Sequence, residues 1–231
     1  MMRGSERLAL ALDTDDGVEA LRWARDLREV FGIAKVGLEL FSAEGASIIF
    51  ALRELDFRVF LDIKMHDIPT TVYRASRVAG GFGVEMVTYH TQGGEAMLRA
   101  GVEGLAEGAL AAGVKVAPIA IGVTYLTSEV RVDEKGFRKR LALAATSGCG
   151  GLVSSAGEVR LAKSLHPDLL AVVPGIRFGE SSNDDQARVA TPRQALAAGA
   201  DVLVIGRSMT RASDLGAAVA LLESELIASA N

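Results

Sequence analysis

The sequence predicts an α/β fold, a closed (β/α)8 TIM barrel that takes up the whole chain, residues 1–231. Three observations predict it. Short apolar runs alternate with longer helical patterns, which implies a parallel sheet. Eight such units fit within 231 residues, which favours a closed barrel over an open doubly wound sheet. No Pro/Ser-rich linker, low-complexity tract or shift in composition interrupts the run, so one domain is expected.

Strands are expected where apolar residues run briefly between turn signals. In order these are "RLALALD" (7–13), "AKVGLEL" (34–40), "RVFLDIK" (58–64), "MVTYH" (86–90), "VKVAPIAIGV" (114–123), "GLVSSA" (151–156), "LLAVVPG" (169–175) and "DVLVIG" (201–206). Amphipathic or Ala-rich stretches lie between them, such as 16–31 and 93–113, and a last helix near 213–228 completes the count. In 16–31, Val18, Leu21, Leu27 and Val30 fall near helical spacing, so they are the expected buried face. Pro69 suits the first turn of a helix after the third strand.

Composition narrows the function classes. Hydrophobic residues make up 49% and charged residues 23%, a mix usual for globular domains, and the net charge is −4. No basic excess is available for a nucleic-acid backbone, and the local run "KGFRKR" (135–140) reads as a solvated helix start. The lone Cys149 excludes an intramolecular disulfide, and its Gly-rich, apolar surroundings suggest a buried thiol. The N-terminal stretch looks like a strand, not a signal peptide, and no run approaches the roughly 20 apolar residues of a membrane span. A cytoplasmic protein without membrane or nucleic-acid partners is expected.

A barrel places function at the C-terminal ends of its strands, with phosphate near strands seven and eight. The polar residues follow that rule. Asp13 ends the first strand, Lys35 lies in the second, Asp62 and Lys64 close the third, and His90 ends the fourth. "TYLTS" (124–128), "PGIR" (174–177) and "GRS" (206–208) follow strands five, seven and eight. In "FLDIKMHDIP" (60–69) a strand that should be buried ends in alternating charges. Strand alternation puts Asp62 and Lys64 on one face, and Asp67 falls beyond the strand. Charges leave water only when they are partnered. The cluster therefore fits a neutral Asp–Lys network that locks the barrel with Lys35, or a site. At the other end, Gly206 permits close backbone approach, while Arg207 and Arg177 offer forks suited to phosphate. Gln186 lies in a polar loop between them, "GESSNDDQAR". His66, His90 and His166 read as structural or surface residues, and no His or Cys pair has metal-ligand spacing.

Taken together, "LALD", "KVG", "DIKMHDIPTT", "VTYLTS", "VPGIR…DDQARVATP" and "VIGRS" resemble the orotidine 5′-phosphate decarboxylase family in order and spacing, from Leu8 to about Thr210. Departures are small: Met65, Thr70 and Phe178 stand where phenylalanine, asparagine and proline are common. The resemblance implies decarboxylation of orotidine 5′-monophosphate to uridine 5′-monophosphate, without metal or cofactor, in a homodimer. It implies that Lys35, Asp62 and Lys64 share one subunit's site, while Asp67 and Thr71 reach the neighbouring subunit's. It further implies ribose contacts from Asp13 and Lys35, pyrimidine contacts from Thr127 and Ser128, and phosphate contacts from Gln186, Gly206, Arg207 and Arg177. Two other readings fit some of the same residues. One is a metal-dependent barrel acting on a sugar phosphate. The other is a catalytically silent phosphate-binding barrel.

Overall fold

The structure is a computed structural model that describes residues 5–126, 128–129, 132–178 and 188–227. The first half of the chain forms β1 (Ser5–Leu12), α1 (Gly17–Leu27), β2 (Phe31–Gly37), α2 (Leu38–Glu44), α3 (Ser47–Glu54), β3 (Arg58–Met65), α4 (Pro69–Gly81), β4 (Met86–His90) and α5 (Gly94–Ala111). The second half forms β5 (Ile119–Val123), α6 (Glu134–Thr146), β6 (Gly151–Val153), α7 (Ala156–Leu165), β7 (Leu170–Val173), α8 (Pro192–Ala198), β8 (Val202–Ile205), α9 (Arg207–Thr210) and α10 (Leu215–Ile227). All eight strands pair in parallel and in sequence order, and β1 closes on β8 through Leu8↔Leu203, Ala9↔Val204 and Leu10↔Ile205. The expected TIM barrel is the fold.

Two layers of core follow from strand alternation. Along β1, Leu8, Leu10 and Leu12 pack outward under the helices, while Ala9 and Ala11 face the barrel interior. Phe60, Ile121, Val123, Val153, Val172 and Val204 fill that interior with them. Both faces of each strand are buried, which is why the strands read as near-continuous apolar runs.

Several boundaries differ from the sequence expectation. The second strand starts at Phe31 and ends at Gly37, so the "LEL" expected to complete it opens α2 instead. Gly37 caps that helix in an extended conformation, and Leu38 is exposed. Helix α1 stops at Leu27 and buries Gly17, Ala20, Ala24 and Leu27, while Val18 is 78% exposed. Small side chains let α1 lie close to its neighbours: a Cβ on Gly17 would stand 2.6 Å from the Glu44 carboxylate. Of the four residues expected on the buried face, Leu27 is buried and Leu21 and Val30 pack half-buried against the core, so only Val18 was misplaced. The fifth strand spans only Ile119–Val123, and Val116 is exposed. Ser155, expected in the sixth strand, is the N-cap of α7 in a capping box with Glu158.

Glycine sets the tightest helix contact. A Cβ added to Gly108 on α5 would lie 1.8 Å from the Arg77 carbonyl of α4, and one on Gly104 would lie 2.2 Å from the Tyr73 carbonyl. Backbone cannot move away as a flexible side chain can. Gly108→Ala is therefore expected to destabilise the protein by about 3 kcal/mol, read as a lower urea midpoint. An unchanged midpoint would mean that the two helices separate freely.

Cys149 is 4% exposed, and burial pushes its thiol pKa up to about 12. Among the described residues, no helix is long and apolar enough to cross a membrane.

Candidate active site

A cavity of about 520 Å³ opens at the C-terminal ends of the strands. Its floor is the barrel interior: Ala11, Phe60, Val123, Val153, Val172 and Val204. Polar groups from the strand ends and the following loops form the wall.

On the β1–β3 side, acid and base alternate through direct contacts. Lys35 Nζ lies 2.8 Å from Asp13 Oδ1 and 3.9 Å from Asp62 Oδ2, and Lys64 Nζ donates to Asp62 Oδ1 at 2.8 Å. Thr88 on β4 donates to the same Asp62 oxygen at 3.0 Å. The spatial order is thus Asp13–Lys35–Asp62–Lys64. Gly37 leaves room for it, since a Cβ there would stand 3.1 Å from Lys35 Nζ and 3.3 Å from Asp13 Oδ1.

Lys64 is held by an irregular backbone. Its φ is +48°, the left-handed region, which costs a non-glycine residue about 1–2 kcal/mol. The β3–β4 register shifts between Leu61 and Met65, and the Lys64 N–H donates to the Thr88 hydroxyl at 2.8 Å. The strand thus bulges where the lysine turns back to its aspartate. Alternation predicts the shared face but not this local interruption.

Burial works to raise the Asp62 pKa, but the charges of Lys35 and Lys64, with hydrogen bonds from Lys64 and Thr88, outweigh it. The net shift is downward, so Asp62 is ionised near neutrality. Its folded pKa is below the unfolded carboxylate value of about 3.9. The stabilisation it contributes is therefore complete above about pH 4 and is lost as the pH falls through the folded value. Urea midpoints between pH 2 and pH 6 should fall less steeply below pH 4 in Asp62→Asn than in the wild type. Parallel curves would mean that Asp62 is not held below its unfolded pKa.

The β7–β8 side is cationic. Arg177, Gly206 and Arg207 line the cavity there. The β3 and β7 strands are four apart in a ring of eight, so Arg177 stands across the mouth from Lys64. Gly206 approaches β1 closely: an added Cβ would meet Ala11 Cβ at 3.3 Å. Ser128 joins the lining from the loop after β5, with Tyr125 and Leu126. The Arg140 guanidinium lies 3.8 Å from the Tyr125 ring centroid, which fixes that ring at the rim.

Other expected site residues lie elsewhere. Asp67 and Thr71 are exposed and do not line the cavity of their own protomer, and Asp67 Oδ1 accepts from the Ile68 N–H at 2.6 Å. Thr127 and Gln186 lie outside the described residues. His90 does not join the lining. Its Nδ1 accepts from the Gln92 N–H and its ring stacks on His66, with centroids 5.5 Å apart. Burial, followed by the neighbouring His66 and Arg140, lowers its pKa. Among the described residues, no group of three or more His, Cys, Asp or Glu could hold a metal ion.

Sequence reasoning missed Glu39 and Arg211 in the lining, and it named Tyr125 only within "TYLTS". Arg211 follows Arg207 by four residues, a spacing that could have signalled it. Glu39 gave no signal, because its segment was read as strand.

A closed parallel barrel whose mouth sets a lysine–carboxylate chain against a pair of arginines defines a barrel enzyme for anionic substrates. The chain belongs to the orotidine 5′-phosphate decarboxylase / HUMPS family, whose model matches residues 6–222. It is 46% identical to the orotidine 5′-phosphate decarboxylase of Dichelobacter nodosus, over 90% of this chain and 93% of the relative. It is 43% identical to that of Nitratidesulfovibrio vulgaris, over 96% and 97%. The crystal structure of orotidine 5′-phosphate decarboxylase from Lactobacillus acidophilus superposes with a TM-score of 0.77 at 31% identity, covering 97% of this chain and 99% of that one.

Proposed function

We propose that this protein decarboxylates orotidine 5′-monophosphate to uridine 5′-monophosphate and carbon dioxide, a step of pyrimidine biosynthesis. The observation that carries the reading is the Lys35–Asp62–Lys64 chain on one side of a cavity whose other side holds Arg177 and Arg207. Membership of the family supports it.

In this reading the bond between ring carbon 6 and its carboxylate breaks. Carbon dioxide leaves, and the electron pair stays on carbon 6. Lys64 stabilises that charge as it develops and then gives carbon 6 a proton from Nζ. Asp62 faces the substrate carboxylate, and two like charges about 4 Å apart repel by roughly 4 kcal/mol at an effective dielectric near 20. The repulsion disappears as neutral carbon dioxide forms. Asp13 and Lys35 bind the ribose hydroxyls, and Thr127 and Ser128 bind the pyrimidine. Gln186, Gly206, Arg207 and Arg177 bind the phosphate. The electron pair left on carbon 6 forms the new C–H bond with the lysine's proton, and carbon dioxide departs neutral, so the chemistry calls for no metal or cofactor.

The exposed positions of Asp67 and Thr71, outside their own cavity, support a homodimer in which both reach the neighbouring site. The reading also places the enzyme in the cytoplasm. The test is to add orotidine 5′-monophosphate to purified protein with a chelator present and follow orotate absorbance. Rapid loss is expected. No loss with folded protein would overturn the reading, and activity restored by magnesium on a sugar phosphate would replace it.

A further inference from the structure

Arg188 lies outside the cavity, ahead of α8, and its side chain is 16% exposed. One guanidinium there joins three segments. Nη1 forms an ion pair with Glu158 Oε1 and donates to Ser155 Oγ at 3.2 Å. Nη2 donates to the Leu126 carbonyl at 3.0 Å. The backbone around Arg188 is tied in turn to the loop after β7. Ile176 and Ala190 form a β-bridge, with the Arg177 N–H donating to the Ala190 carbonyl at 2.9 Å and the Ala190 N–H to the Gly175 carbonyl at 3.2 Å.

The two segments so connected line different parts of the cavity, two strands apart in the ring. Arg177 belongs to one, and Leu126 and Ser128 belong to the other. A buried ion pair is weak evidence for stability, because desolvation offsets much of its attraction. Here it carries geometry. One oxygen of Glu158 keeps its partners without Arg188, since Oε2 accepts from the Ser155 N–H at 2.8 Å and from Ser155 Oγ at 2.6 Å. The capping box of α7 would therefore survive loss of the arginine.

We infer that Arg188 is a positioning residue, which fixes the spacing between the Leu126–Ser128 side of the cavity and the Arg177 side. On the nucleotide reading given above, on which this inference rests, it sets the distance between the groups that hold the ring and those that hold the phosphate. A ligand that spans both should feel its loss. A ligand that fills only the phosphate end should not.

The experiment compares wild type with Arg188→Met and Arg188→Lys. It measures kcat/KM for orotidine 5′-monophosphate, affinity for uridine 5′-monophosphate and for inorganic phosphate, and amide exchange across residues 124–129. In Arg188→Met, exchange there should rise, kcat/KM should fall about 100-fold, and nucleotide affinity should fall about tenfold. Phosphate affinity should stay as in wild type, and Arg188→Lys should recover part of the loss. Should the Met variant fail to fold, the Lys variant carries the same comparison with smaller changes in the same directions. Unchanged kcat/KM would overturn the inference, as would nucleotide and phosphate affinities falling together. A wild type that leaves orotidine 5′-monophosphate intact would instead remove the nucleotide reading, a result distinct from any difference between variants.

Discussion

Lys64→Ala is expected to lower kcat by roughly 10⁴-fold, since general acid catalysis alone contributes about 10²–10⁴ and charge stabilisation at the reacting atom adds to it. The fold should persist. Asp62 would keep its contacts with Lys35 and Thr88, and the lost side chain is 39% exposed. Affinity for uridine 5′-monophosphate should stay within a few-fold, because the groups assigned to phosphate and ring are untouched. Steady-state rates from orotate absorbance, with calorimetric binding of the product, check both halves. A variant that turned over within tenfold of wild type, and was only less stable, would describe a silent barrel with a structural Asp–Lys network.

The second large effect concerns the phosphate end. Arg207→Ala should lower kcat/KM by about 10²–10⁴, since two charge-assisted hydrogen bonds contribute about 1.5–3 kcal/mol each. Orotidine without its phosphate should fare worse still with the wild-type protein. In both cases kcat should fall along with the rise in KM, because binding energy from a remote group orders the reacting end. A rise in KM alone, at constant kcat, would show that the phosphate serves only as an anchor.

Much of this was legible in the sequence for definite reasons. Strands buried on both faces produce apolar runs that stand out, so β3 and β4 were located to within a residue, although β2 was displaced by three. The Asp62–Lys64 contact was legible because alternation fixes which side chains share a face. Other features leave no such trace. Helix α1 buries alanine and glycine, which hydrophobic periodicity underweights. The left-handed Lys64 arises from a hydrogen bond to Thr88, 24 residues away, and no local pattern encodes it. Asp13 was read as a strand end, and the β1–β2 register, which sets Ala11 beside Lys35, brings it to that lysine. Arg188 was invisible as a link, because its partners lie far away in the sequence, Glu158 in the first turn of α7 and Leu126 in the loop after β5.

The buried thiol of Cys149 has a practical consequence. A sulfhydryl held protonated to about pH 12 and covered by the barrel offers maleimides and disulfide reagents almost no thiolate at neutral pH. The native protein is thus already blank for thiol labelling. A single cysteine introduced on an exposed helix would be its only reactive handle, and a fluorophore or spin label could be attached there without first removing the natural residue.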